Sequence, residues 1–118
     1  IFSFQCFGIV DNIYQKLSRW GQYLKKPILL ADSMINKEGF HGWPPEQDRT
    51  QDDTQYGEIM EALRRIPEWI GFHLCGAYIK NNARRYGLLD SQDNEESTTQ
   101  GIKKVNMDQI SWVREQVN

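Results

Sequence analysis

A chain of 118 residues with 39% hydrophobic and 25% charged residues has the length and composition of one ordinary globular domain. Its formal charge of −2 offers no basic footprint for nucleic acid and no strong acidic field. No stretch approaches the roughly 18 apolar residues of a membrane span, so the expected partners include neither nucleic acid nor membrane.

The chain opens on IFSFQCF, residues 1–7. This aromatic, β-prone run has no basic n-region and no small-residue cleavage site, so it is not a signal peptide. It reads as the middle of a strand, and the polypeptide is expected to be a piece of something longer. Gln5 is a polar group where Phe or Val is expected. It is placed to bond a ligand hydroxyl, or else Asp32 or His73. Next, Val10, Ile13, Tyr14, Leu17, Trp20 and Leu24 recur at helical spacing and predict an amphipathic helix. KKP then returns the chain to PILLA, residues 27–31, a continuous apolar run of the kind that forms a covered parallel strand. A second helical stripe is Tyr56, Ile59, Met60, Leu63 and Ile66, with Asp53 or Thr54 placed to cap it. WIGFHLCGAY, residues 69–78, predicts the third strand. A weaker stripe of Ile102, Val105, Gln109, Val113 and Val117, supported by Ile110, predicts a closing helix capped within Ser97 to Thr99.

The order is β-α-β-α-β-α. The fold class is therefore α/β, three consecutive βα units with parallel strands and right-handed crossovers, in one unit over residues 1–118. The helix-to-strand returns are short. The strand-to-helix connections, SMINKEGFHGWPPEQDRTQD and KNNARRYGLLDSQDNEES, are long, and long loops in a compact domain are usually functional or disordered. Both follow strands, so both belong at the carboxyl end of the sheet, where parallel α/β folds build their sites.

Candidate chemistry gathers at that end. Strict alternation puts Ile28, Leu30 and Asp32 on one face of the second strand. A carboxylate above an apolar floor is open to desolvation and pKa tuning, which catalysis uses. The plainer role for Asp32 is a hydrogen bond to loop backbone where the strand ends. His73 and Cys75, two apart, share a face near the end of the third strand. His73 is either a hydrogen-bonded strand group or a member of the site. His73, Cys75, Asp32 and His41 are ligand types for zinc, but nothing in their spacing brings them together, and the expected cofactor set is empty. Trp43, beside Pro44 and Pro45, is a stacking face for a sugar ring or a plug that closes the loop. Asn82 and Arg85, with Asn81, Arg84, Tyr86 and Asp90, suit a polyhydroxylated or anionic ligand at a pocket rim, or a salt-bridged loop. Cys6 and Cys75 make no disulfide framework and read as buried thiols. No P-loop or GxSxG elbow is present.

KPILLADS and IGFHLCGAYIKNNARRYGLLD resemble the final βα units of (β/α)8 glycoside hydrolases, in particular agarase-like enzymes. The resemblance covers nearly the whole chain, as sixth, seventh and eighth units, so it implies the C-terminal part of a TIM barrel. It implies that Asp32, five residues after Pro27, stands where retaining members carry the nucleophile, with His73 and Gln5 orienting it. It also implies that His73, Cys75 and Tyr78 line a pocket for a poly- or oligosaccharide. The pattern departs from the family at two positions: the nucleophile is usually Glu, and Cys75 stands where Trp is common. The family's acid/base partner lies on an earlier strand. The isolated chain is therefore expected to be inactive, since retaining chemistry needs two carboxyl groups about 5–5.5 Å apart. The other expectations are a small α/β interaction or structural module without catalysis, and a degenerate barrel whose pocket binds sugar without cleaving it. For the fragment and the module alike, open sheet edges favour self-association.

Overall fold

A computed structural model describes residues 1–6, 8–33, 53–74, 88–90 and 92–117, with backbone alone at Asp32 and Ser33. The six expected elements occur in the expected order: β1 (Phe2–Phe4), α1 (Val10–Leu24), β2 (Ile28–Ser33), α2 (Asp53–Leu63), β3 (Trp69–Leu74) and α3 (Thr99–Val117). The strands form one parallel sheet in the order β1-β2-β3. The protein is thus a mixed α/β fold.

Local chemistry explains the joints. Gly8 has φ 131°, a value that side-chain-bearing residues rarely adopt, and it swings the chain from β1 into α1. At the other end of α1, Lys25 takes a left-handed conformation and donates its backbone N–H to the Gly21 carbonyl at 2.8 Å. This left-handed cap satisfies one of the helix's last carbonyls. Pro27 then leads into β2, its carbonyl accepting the Phe2 N–H at 2.8 Å.

Residues from all three helices meet the sheet in one core. Ile13 and Leu17 of α1, Ile59, Met60 and Leu63 of α2 and Ile102 of α3 pack with Cys6, Ile28 and Leu30. Ile28 and Leu30 are fully buried. Consecutive parallel strands joined by right-handed crossovers put every helix on the same side, and the shared core agrees. Ile28 and Leu30 thus lie beneath helices and do not fill a barrel interior. Ser3, Gln5, Ile70 and His73 are exposed.

Two cation–π contacts tie the helical layer together. Arg65 lies 4.7 Å over the Tyr14 ring of α1, and Arg64 lies 5.3 Å over Trp112 of α3 while donating to Gln109 at 2.7 Å. Tyr56 of α2 packs edge-on against Phe72 of β3 at 5.4 Å and donates its hydroxyl to Asn106 of α3 at 2.7 Å.

Several expectations are corrected. β1 is three residues long, not seven, and β2 runs on to Ser33. Trp20, placed on the buried stripe of α1, is 45% exposed. Ile66 is buried but lies beyond the end of α2. The third stripe is only partly used: Ile102 is buried and Val105 packs on the core, whereas Ile110, Val113 and Val117 are exposed. Asp53 and Thr54 lie inside α2, where Asp53 supplies the acidic residue of the first turn. Thr99 opens α3, and its hydroxyl donates to the Leu88 carbonyl at 2.7 Å. The polar stretch before α3 is a built return, with Leu89 bridged to Glu95 and Asp90 accepting the backbone N–H groups of Gln92 and Asn94. The Glu95 carboxylate pairs with Lys103 and accepts from Gln100. That bond to Lys103 holds the Glu95 pKa below the usual carboxylate range.

Burial pushes the Tyr56 phenol pKa upward and does the same for the Cys6 thiol, with nearby Lys16 opposing the rise at Cys6. A raised folded-state value means that the unfolded chain loses the proton first as pH rises. The stability is therefore complete below the unfolded pKa and is lost through the window above it. For Tyr56 that window opens near pH ~10. Tyr56→Phe removes the titration together with the bond to Asn106, a loss of about 1 kcal/mol at neutral pH. Urea denaturation at pH 8 and pH 10.5 should show the wild type's advantage over Tyr56→Phe shrinking at the higher pH. An advantage that stays constant would contradict the burial of the phenol.

Candidate functional site

β2 and β3 run parallel, so the segments that follow them leave from one end of the sheet. The register there is uneven. Ile28 pairs with Trp69 and Leu29 with Gly71, which leaves one extra residue on β3. Leu30 pairs with Phe72 and Ser33 with Leu74, which leaves one extra residue on β2. Each irregularity has the form of a β-bulge, in which two residues oppose one and the local alternation of faces breaks. Ile28 and Leu30 share the buried face, as expected from the sequence, and the extra residue on β2 falls beyond them, between Leu30 and Ser33.

The pairing also sets up a row. Phe4, Leu30 and Phe72 stand side by side across β1, β2 and β3, and all three pack into the helix-covered core. One step further along the strands come Gln5, positions 31 and 32, and His73. Gln5 and His73 are both exposed, while their predecessors Phe4 and Phe72 turn inward. The backbone of three residues chosen from sequence thus lies at the carboxyl end of the sheet: Gln5 just beyond β1, Asp32 within the irregular stretch of β2 between Leu30 and Ser33, and His73 between Phe72 and Leu74 of β3. Gly71 allows the approach between the strands beneath that row: a Cβ at position 71 would sit 3.2 Å from Leu29 Cδ1.

The other expected site residues, Trp43, Cys75, Tyr78, Asn82 and Arg85, lie outside the described residues, as does His41. Cys6 is buried in the core. Among the described residues no group of three or more His, Cys, Asp or Glu could hold a metal ion, and no helix is long and apolar enough to cross a membrane.

A second feature was not expected from sequence. Lys16, Arg19, Trp20, Gln22 and Tyr23 of α1 line an open groove of about 650 Å³. Trp20 is held by its neighbours, stacked on Phe4 at 5.7 Å and 25° and met edge-on by Tyr23 at 5.9 Å and 81°. The available signal was the i, i+3 spacing of Trp20 and Tyr23 beside Lys16 and Arg19, at the margin of the apolar stripe. Comparison with known proteins found no matching family model, no matching curated protein and no matching solved structure.

Proposed function

We propose that the carboxyl end of the sheet is a carbohydrate site of the barrel-hydrolase kind, to which this chain contributes the C-terminal βα units. Asp32 serves as nucleophile or electrostatic stabiliser, and His73 and Gln5 orient it and the sugar hydroxyls. Trp43, Cys75, Tyr78, Asn82 and Arg85 complete the sugar-binding set. The observation that supports this reading is the row formed by Gln5, positions 31–32 and His73. Adjacent parallel strands bring a carboxylate-bearing position, an imidazole and an amide to the end of the sheet where such folds place their ligands.

The chemistry sets a limit. A retaining mechanism needs a second carboxyl group about 5–5.5 Å from the first, and this row supplies one. The chain by itself binds and does not cleave. In a titration of the chain with neutral agaro-oligosaccharides, Asp32→Asn and His73→Ala should each weaken binding by about tenfold or more, roughly 1.4 kcal/mol. Unchanged affinity in both variants would remove this row from the site, and glycoside turnover by the wild-type chain would overturn the one-carboxylate argument.

A self-associating module without catalysis is the second reading. It is favoured by β1 and β3 standing at the two edges of the sheet and by the exposure of Phe2 and Ile70. An unpaired strand edge is a template for another chain. Sedimentation with and without neutral agaro-oligosaccharide separates the two readings, because the first requires bound sugar and the second requires association with no sugar bound.

A further inference from the structure

We infer that the groove on α1 is a second saccharide site, specific for pyranose rings that carry an anionic substituent, carboxylate or sulfate. It goes beyond the reading of Asp32 and does not depend on it. α1 runs back from the carboxyl end of β1, so residues 16–23 stand towards the opposite end of the sheet from the row of Gln5 and His73.

Four observations support this site. Trp20 is 45% exposed and Tyr23 77% exposed, yet Trp20 is already fixed by the stack on Phe4 and the edge contact with Tyr23. An exposed indole held in place loses little freedom when a ring settles on it. Two cations, Lys16 and Arg19, line the groove beside the indole, and no carboxylate is among the described residues that line it. Lys gives a mobile point charge and Arg a planar donor fork that matches carboxylate or sulfate oxygens. Gln22 adds an amide able both to donate to and to accept from ring hydroxyls. The volume lies within the range of small-ligand sites and suits a short oligosaccharide. Single-stranded nucleic acid also combines stacking with cations, but a net charge of −2 and a sequence pI of about 5.7 disfavour a polyanion of that density.

The test is an NMR titration of the 118-residue chain with trigalacturonate, with a sulfated chondroitin tetrasaccharide and with neutral maltotriose. The Trp20 indole N–H signal is assigned through Trp20→Phe. Expected results are a saturable shift of that signal with at least one anionic probe and at least tenfold weaker binding of maltotriose. Tyr23→Ala, at a position too exposed to unsettle the core, should weaken the anionic probe at least fivefold. The double variant Lys16→Gln/Arg19→Gln should abolish the preference for charge, and Asp32→Asn should leave the Trp20 shift unchanged. Which anionic probe binds more tightly distinguishes carboxylate from sulfate. The inference is overturned by any of four results: no Trp20 shift with either anionic probe, equal affinity for maltotriose, tighter binding of oligothymidylate, or sugar-free dimerisation that Tyr23→Ala abolishes.

Discussion

Leu30→Ala should lower the unfolding free energy by about 3 kcal/mol, whereas Leu29→Ala, one residue away, should cost about 1 kcal/mol. Leu30 has no exposed surface and lies in the core with residues of α1, α2 and α3. Removing three heavy atoms there loses their transfer free energy and leaves a cavity whose walls are stiff helices. Leu29 is only half-buried, and its Cδ1 lies against the backbone of Gly71. The experiment is a pair of urea titrations followed by far-UV circular dichroism, with midpoints compared at constant m-value. The comparison bears on function as well as stability. It tests which face of β2 the helices cover, and the helix-covered face cannot also be the lining of a ligand pocket. Equal costs, or a larger cost at Leu29, would reverse the assignment of faces and move Gln5 and His73 beneath the helices.

The element order was legible because apolar spacing switches cleanly between the helical and the extended period. Ile13, Leu17, Ile59, Met60 and Leu63 fall where a 3.6-residue stripe puts them, and all are buried. The finer geometry was not legible, for physical reasons that differ by element. In β2 and β3 the two compensating irregularities cancel in length, so the composition of ILLADS and WIGFHL looks like that of regular strands. Gly71 was the one local sign, since glycine inside a strand often marks a bulge or a close backbone approach. In α1 the stripe includes Trp20 by angle, but Trp20 lies at the margin nearest β1, where Phe4 can cover only one face of the ring. In α3 the apolar residues exceed what α2 and the sheet can cover, leaving Ile110, Val113 and Val117 exposed. Periodicity reports that a helix has an apolar side and does not report how wide its partner is. The candidate group of Gln5, Asp32 and His73 was legible residue by residue, as polar groups at strand ends. How these residues line up across three strands depends on register, which no single segment encodes.

Gly101→Ala provides the second large effect, and its sign runs against helix propensity. In an exposed helix interior, replacing glycine with alanine stabilises by about 1 kcal/mol. Gly101 sits in the first turn of α3, facing Asp53 in the first turn of α2. A Cβ at position 101 would meet the Asp53 carboxylate directly and would lie 2.7 Å from Asp53 Cβ. The carboxylate can rotate away, but the Asp53 Cβ is fixed to the backbone, so the two helix starts would have to separate. They are held together close by: Ile102 is buried, Thr99 donates to Leu88, and Gly57 lets Val105 approach to contact distance. Overpacking of this kind costs about 1–3 kcal/mol, and with about 1 kcal/mol of propensity gain set against it a net loss of about 1 kcal/mol, at most about 2, is expected. Asp53→Ala keeps the obstructing Cβ and should rescue Gly101→Ala only in part. Asp53→Gly removes it, so the Asp53→Gly/Gly101→Ala double variant should show a favourable coupling of about 1 kcal/mol or more in a double-mutant cycle. Additive single effects would mean that the two helix starts do not meet at this point, and α3 would then be free of the α2 contact that seals the core around Ile102.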